Sequence, residues 1–180
     1  MHPDKDQATL IAGFAAALPE LPPHTLLLII GSGPLEGELR SLARTLGVGQ
    51  RVRFMGQVPD ARSLFRAFDL FVLTSDHEPF GMVLLEAMAA AVPVIATDCG
   101  GAPEVVGRKD CLVGLKDSDG LAALLRGFLV DRDASDRAEV GAASKSRLTS
   151  LFSDAAARGV FFSLAMAKHF LPVQTLPTLL

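Results

Sequence analysis

Two glutamates eight residues apart, Glu78 and Glu86, are the residues whose types and spacing suggest chemistry. Between them, Pro79 and Gly81 allow the backbone to turn sharply from a strand into a helix. The free N–H groups at the start of that helix carry a partial positive charge and suit a phosphate. Carboxylates on either side of a phosphate would instead accept hydrogen bonds from hydroxyl groups, so the pattern is typical of a nucleotide-sugar site.

The same spacing has a simpler interpretation, in which the helix is merely capped. Glu78 would then be a solvated loop residue and Glu86 would form an ion pair, since acidic residues are common near helix starts. His77, in the same loop, could contact a donor sugar or could be an ordinary exposed histidine. From spacing alone, both alternatives stay open for all three residues.

The composition indicates one folded domain and excludes several classes of partner. The chain has 180 residues, of which 49% are hydrophobic and 21% are charged. The net charge of −3 argues against non-specific binding of nucleic acid, which needs a surplus of Lys and Arg. No apolar run reaches the roughly 18 to 20 residues of a membrane span. The polar residues 1–7 do not form a secretory signal, so a cytoplasmic location is predicted.

Neither the cysteines nor the acidic pairs predict a metal or other cofactor. Cys99 and Cys111 are too few for a disulfide framework or a four-ligand site, and two reduced, partly buried thiols are expected. Asp-x-Asp patterns occur at residues 4–6, 117–119 and 131–133. The first two precede predicted helices, where Asp commonly caps, and the third lies in a charged linker.

Strands and helices alternate along the chain. Helices are predicted at residues 8–18, 35–46, 61–68, 82–91 and 121–129, with more helix from residue 136 onward. The alternation predicts an α/β fold with a Rossmann-like open parallel sheet and helices on both faces. Ligands bind beyond the carboxyl ends of such strands. Apolar runs predict the strands at residues 25–30, 51–55, 70–74, 93–97 and 111–115, the first covered on both faces.

Residues 78–89, which read EPFGMVLLEAMA, resemble the E-x7-E motif of the retaining GT-B glycosyltransferases of family 4, the glycosyl transferases of group 1. The resemblance covers roughly residues 3–130 and is far more specific than a lone glycine motif. Further segments agree with the family in order and spacing: residues 30–34 (IGSGP), 52–56 (VRFMG), 71–75 (FVLTS), 93–97 (PVIAT) and 100–106 (GGAPEVV).

The resemblance implies that the chain is the donor-binding second half of a GT-B transferase. Glu86 would hold the ribose hydroxyls, Glu78 would hold donor-sugar hydroxyls, and Lys5 would pair with the diphosphate. Glu78 and Lys5 are thus the implied catalytic residues. The other implied donor-binding positions are His77, Phe80, Gly81, Met82 and Val83 in the loop and helix start, Gly56, Gln57 and Val58 beside the base, and Gly100 and Gly101 on the sugar side.

The implied reaction is sugar transfer with retention of configuration, without a metal. Lys5 and the helix start would stabilise the charge that develops on the departing nucleotide diphosphate. UDP-linked and GDP-linked donors both fit, and the implied acceptor is a glycan or a lipid-linked acceptor. No residue of the chain is identified as a covalent nucleophile.

The chain also departs from the family pattern. The pattern begins one strand earlier, with a central strand that ends in Gly-Arg and lies between the strands at residues 26–30 and 70–74. That strand and the acceptor-binding N-terminal domain are missing from this sequence. We therefore expect the chain alone to be inactive or nearly so. The alternative is a non-catalytic truncated remnant or interaction module.

Two regions are predicted: a donor-binding domain at residues 1–130, and a helical segment with an irregular apolar tail at residues 131–180. Residues 154–169 are predicted to form a helix that packs on an N-terminal domain. A membrane-interfacial segment and a shifted reading frame are the alternatives for the tail, and residues beyond Pro172 stay open. Peripheral attachment at the inner membrane face is accordingly an alternative to a purely cytoplasmic location.

Overall fold

A computed structural model describes residues 1–153, 155 and 156 of the chain. One compact unit comprises residues 1–145 and a second begins at Ser146. The predicted tail helix and the residues beyond Pro172 lie outside the described residues, apart from residues 155 and 156. The helices are α1 (Gln7–Ala17), α2 (Glu36–Thr45), α3 (Met82–Ala89), α4 (Ala102–Val106), α5 (Ser118–Leu129) and α6 (Ala134–Leu151).

The described strands are all parallel and form two sheets. They are β1 (Leu27–Ile30), β2 (Val52–Gly56), β3 (Phe71–Leu73), β4 (Val94–Thr97) and β5 (Leu112–Val113). One sheet has the order β1-β2 and the other has the order β3-β4-β5. The predicted α/β class with parallel strands is therefore confirmed. The two strands expected to flank a missing neighbour, β1 and β3, belong to different sheets.

The prediction that the first strand is covered on both faces is wrong. In β1, Ile29 is buried, but Leu28 is 39% exposed and the preceding Leu26 is 49% exposed. By contrast, every residue of β4 is buried. An apolar run alone does not distinguish the two cases, because burial depends on which helices pack over each face.

The core lies between helices and the β3-β4-β5 sheet. Ile11 and Phe14 of α1 are buried, as are Leu121 and Phe128 of α5. The two helices approach closely at Gly13, where a Cβ atom would lie 2.9 Å from Leu121 Cδ2. α3 contributes fully buried side chains that fix its orientation on the sheet, namely Leu84, Ala87 and Met88.

Local side-chain capping explains the starts of α1 and α5. Asp117 accepts a hydrogen bond from the Gly120 N–H at 2.8 Å, so α5 begins three residues earlier than predicted. Asp6 caps α1 through the Thr9 N–H and Oγ1. The short helix predicted at residues 61–68 is present as a 3-10 helix, Ala61–Ala67, which follows Asp60 in a left-handed conformation.

The two cysteines are expected to differ in reactivity. Cys111 is 2% exposed, and burial raises the pKa of its thiol, so little reactive thiolate is present near neutral pH. Cys99 is half-buried. Iodoacetamide at pH 7.5 should alkylate Cys99 at least about tenfold faster than Cys111, as followed by peptide mass spectrometry. The difference should vanish in denaturant, and equal rates in the folded chain would contradict the burial of Cys111.

Candidate functional site

In the loop between β3 and α3, the side chain of Glu78 is hydrogen-bonded to the backbone of the same loop. Glu78 Oε1 accepts a hydrogen bond from the Gly81 N–H at 3.1 Å, which helps to start α3. Glu78 Oε2 accepts one from Lys5 Nζ at 3.0 Å and lies 3.5 Å from Ser75 Oγ. The Glu78 side chain is only 11% exposed. Glu78 is therefore not a solvated loop residue, and the simpler interpretation is wrong for it.

Lys5 lies beside this loop because the backbone carbonyls of Asp4 and Lys5 accept hydrogen bonds from residues at the start of the loop. The Asp76 N–H donates to the Asp4 carbonyl at 2.8 Å, and Thr74 Oγ1 donates to the Lys5 carbonyl at 3.1 Å. The Lys5 side chain remains 46% exposed beyond its contact with Glu78. The structure thus brings together the two residues that the resemblance implies as catalytic, although they are far apart in sequence.

The start of α3 leaves two backbone donors open. Gly81 has a φ of +85° and no side chain with which to cap the helix. Its own N–H is occupied by Glu78. Within the described residues, the N–H groups of Met82 and Val83 donate no recorded hydrogen bond. Two of the three predicted backbone donors are therefore available to an anion, and the third holds Glu78 instead.

The loop after β4 packs directly behind Glu78. The Gly101 N–H donates to the Glu78 carbonyl at 2.9 Å. Thr97 Oγ1 donates to the Ser75 carbonyl at 2.6 Å, and Cys99 Sγ contacts the same oxygen at 3.1 Å. A Cβ atom at Gly100, which has a φ of +53°, would overlap the Glu78 carbonyl oxygen. Gly100 and Gly101 thus support the backbone of the glutamate loop.

Glu86 lies on the second turn of α3 and forms an ion pair. Its Oε1 is 2.8 Å from Nε of Arg62, on the 3-10 segment Ala61–Ala67. The ion-pair alternative considered for Glu86 is therefore present, but its partner was not predicted. No sequence pattern identifies Arg62, because the two residues lie on elements that only the tertiary fold brings together.

The predicted base-binding residues lie on the other sheet. Gly56 ends β2 with a φ of +65°, and its carbonyl accepts a hydrogen bond from the Gly31 N–H at 2.7 Å. Gln57 Nε2 donates to Ser32 Oγ at 3.2 Å, and Val58 is half-buried. These residues therefore connect the carboxyl ends of β1 and β2.

His77 and Phe80 are both exposed on the loop. Asp76, beside His77, has one buried side-chain oxygen without a hydrogen-bond partner, and its other oxygen lies 3.7 Å from Lys116 Nζ. Lys116 adopts a left-handed conformation with a φ of 57°. It adds a second cation beside the loop that the sequence analysis did not identify.

Two open cavities lie outside this cluster. One, of about 480 Å³, adjoins the loop after β4 and is lined by Asp98, Pro103, Gly107, Arg108, Lys109, Leu112, Val113 and Gly114. The other, of about 400 Å³, lies between α2 and β2. In the part of the chain that is described, no three His, Cys, Asp or Glu side chains converge on a metal site. None of the described helices is long and apolar enough to cross a membrane.

A family model described as glycosyl transferases group 1 matches residues 1–131. The chain is 32% identical over 148 residues to the lipopolysaccharide core biosynthesis glycosyltransferase LpsE of Rhizobium meliloti, covering 81% of this chain and 43% of LpsE. It is 36% identical over 137 residues to the N-acetyl-alpha-D-glucosaminyl L-malate synthase of Bacillus anthracis, covering 72% of this chain and 35% of the synthase. The chain therefore spans less than half the length of these curated relatives.

Solved structures of similar fold include a longer chain and an isolated domain. Anabaena Alr3699/HepE in complex with UDP and glucose superposes with a TM-score of 0.75 at 28% identity, covering 91% of this chain and 46% of HepE. The C-terminal domain of the group 1 glycosyl transferase LpcC from Francisella tularensis gives a TM-score of 0.74 at 27% identity. That match covers 86% of this chain and 83% of the solved domain.

Proposed function

Since the chain belongs to the glycosyl transferases of group 1 and has the fold of a GT-B C-terminal domain, we propose that it binds the nucleotide-diphospho-sugar donor of a retaining, metal-independent sugar transfer. One observation carries the proposal. The buried Glu78 is held by Lys5 and by the N–H of Gly81, the residue before α3, beside the two open backbone donors of Met82 and Val83.

Lys5 can serve the diphosphate without leaving Glu78. An ammonium group has three N–H donors, and Glu78 takes one of them. Two donors of Lys5, together with the Met82 and Val83 N–H groups, are then available to phosphate oxygens. Such preorganised donors stabilise the negative charge on a departing nucleotide diphosphate, which supports transfer without a metal. The remaining lone pairs of Glu78 would accept hydrogen bonds from donor-sugar hydroxyls.

The donor base lies near Gln57 in this proposal. HepE has been solved with UDP and with UDP-glucose, which makes UDP-linked donors the first choice and GDP-linked donors the second. Phe80 and His77 are exposed side chains of the loop that holds Glu78, and we assign them to the donor sugar. Gly100 and Gly101 support the sugar side by holding the Glu78 loop.

The acceptor is proposed to be a glycan or a lipid-linked molecule, bound by an N-terminal GT-B domain in cis or in trans. LpsE takes its name from lipopolysaccharide core biosynthesis, which supports this class. The β1-β2 and β3-β4-β5 sheets are separate, which supports a further strand between β1 and β3 in this proposal. We therefore propose that the chain alone transfers little sugar, in the cytoplasm or at the inner membrane face. A non-catalytic interaction module is the second candidate.

Replacing Glu86 by alanine should weaken nucleotide binding by roughly 10- to 100-fold, because hydrogen bonds from hydroxyls to a charged acceptor are lost. Calorimetric titration with UDP, GDP and UDP-glucose in EDTA measures this. Protein concentration is set by amino-acid analysis, because the chain has no Trp or Tyr.

Glu38→Ala, which removes an exposed carboxylate of α2, is the matched control and should bind like the unsubstituted chain. If the folded, monomeric chain binds none of these nucleotides, the interaction-module alternative is correct. If a nucleotide bound in a parallel titration without EDTA but did not bind with EDTA present, metal independence would be contradicted.

A further inference from the structure

The Arg62–Glu86 contact joins the 3-10 segment Ala61–Ala67 to α3 at the proposed ribose site. Arg62 Nε lies 2.8 Å from Glu86 Oε1. The arginine side chain is 74% exposed and the glutamate side chain is 27% exposed. Among the ion pairs of the described residues, Arg62 contacts no other carboxylate. Glu86 is therefore the charged partner that determines where this guanidinium lies.

The contact leaves Glu86 able to accept further hydrogen bonds. An ionised carboxylate offers about four lone-pair positions on two oxygens. Arg62 lies at Oε1, and among the described residues no ion pair is recorded at Oε2. A ribose diol needs two acceptor positions on one carboxylate. Arginine and ribose can therefore contact Glu86 at the same time, and Arg62 need not leave when a nucleotide binds.

Stability alone does not account for the pair. Solvent-exposed ion pairs contribute little to folding, because water screens them and two long side chains must be ordered. A glutamate side chain is flexible, however, and the carboxylate must meet two adjacent hydroxyls at once. Fixing its orientation before the ligand arrives removes part of that ordering cost from binding.

We propose that Arg62 is a positioning residue that orients the Glu86 carboxylate toward the 2′- and 3′-hydroxyls of the donor ribose and so makes the site selective for ribonucleotides. The proposal rests on the proposed function, in which Glu86 holds the ribose. It differs from a general electrostatic role, because an exposed cation attracting a diphosphate would favour ribose and 2′-deoxyribose nucleotides equally.

The test is calorimetric titration of the full chain with UDP and 2′-deoxy-UDP, or with GDP and 2′-deoxy-GDP if guanosine is the base bound. Arg62→Ala should weaken binding of the ribonucleotide roughly three- to fivefold and leave the deoxyribonucleotide within about twofold. The ratio of the two affinities should fall accordingly. Arg62→Lys keeps the charge without the planar group and should lie between Arg62→Ala and the unsubstituted chain.

Arg66→Ala is the matched control, since it removes the same charge from the same 3-10 segment, where Arg66 is exposed. It should leave both affinities unchanged. Adding Arg62→Ala to a Glu86→Ala chain should have no further effect on the ratio, because the oriented group is then absent. Thermal unfolding of Arg62→Ala should stay within about 2 °C of the unsubstituted chain.

The outcomes separate this proposal from the proposed function. If Glu86→Ala abolishes discrimination but Arg62→Ala preserves it, the positioning role is wrong and the ribose role of Glu86 stands. Tighter binding of the ribonucleotide by Arg62→Ala would mean that the arginine blocks the site, which also overturns positioning. If Glu86→Ala binds both nucleotides like the unsubstituted chain, the ribose role fails and the positioning role fails with it.

Discussion

Replacing Glu78 by alanine should lower the free energy of unfolding by about 2–3 kcal/mol, because it leaves buried polar groups without their partner. The Gly81 N–H loses its acceptor at the start of α3, and Lys5 loses its ion pair. Urea unfolding followed by far-ultraviolet circular dichroism measures the change. Glu20→Ala, which removes an exposed carboxylate that pairs with Arg126, should change stability by less than about 1 kcal/mol.

Glu78→Gln is the variant that separates this structural role from donor binding. The amide oxygen can still accept from the Gly81 N–H, so the fold should be largely retained. The amide nitrogen cannot accept from sugar hydroxyls or from Lys5. UDP should therefore bind within about threefold of the unsubstituted chain, whereas the extra affinity for UDP-glucose over UDP should be lost. Equal loss for both ligands would contradict the assignment of Glu78 to the sugar.

The sequence predicts the part of the site that local chemistry determines. Pro79 and Gly81 between an apolar run and a helical pattern place α3 within two residues of its observed end and at its observed start. Asp6 and Asp117 cap helices as their positions next to helix starts suggest. These features depend on neighbours within a few residues, so one sequence is enough to predict them.

The side-chain partners and the burial that the sequence misses depend on tertiary contacts. Glu78 is buried because Lys5 and the Gly101 N–H come from elements far away in the chain. The Arg62–Glu86 pair has the same origin. Leu28 is exposed although its apolar run predicts burial. The residue type determines what a side chain can do chemically. Which residue it contacts is determined by how the sheets and helices pack.

The two-sheet arrangement connects the fold to the candidate site. Glu78, Lys5 and Gly101 are joined by hydrogen bonds at the carboxyl end of the β3-β4-β5 sheet. Gln57 and Ser32 are joined at the corresponding end of β1 and β2. A donor that contacts both groups would span the two sheets, which agrees with the rule that ligands of α/β folds bind beyond strand carboxyl ends.

Gly100→Ala should be among the most destabilising single substitutions in the chain, by about 3 kcal/mol or more, because backbone must move to accept it. The new Cβ would overlap the Glu78 carbonyl oxygen, and a φ of +53° disfavours any L side chain. Relief requires breaking the hydrogen bond from the Gly101 N–H to that same oxygen. The Glu78 loop would shift, so donor binding should be lost together with stability.

Gly127→Ala on α5 is the matched control, since no atom lies within 4 Å of the added Cβ and the residue is helical. It should raise the free energy of unfolding by about 0.5–1 kcal/mol, because alanine loses less backbone entropy than glycine in a helix. Both variants are compared by urea unfolding and by UDP titration. If Gly100→Ala matched the unsubstituted chain in both measurements, the loop after β4 would not support Glu78. The assignment of Gly100 and Gly101 to the donor site would then be wrong.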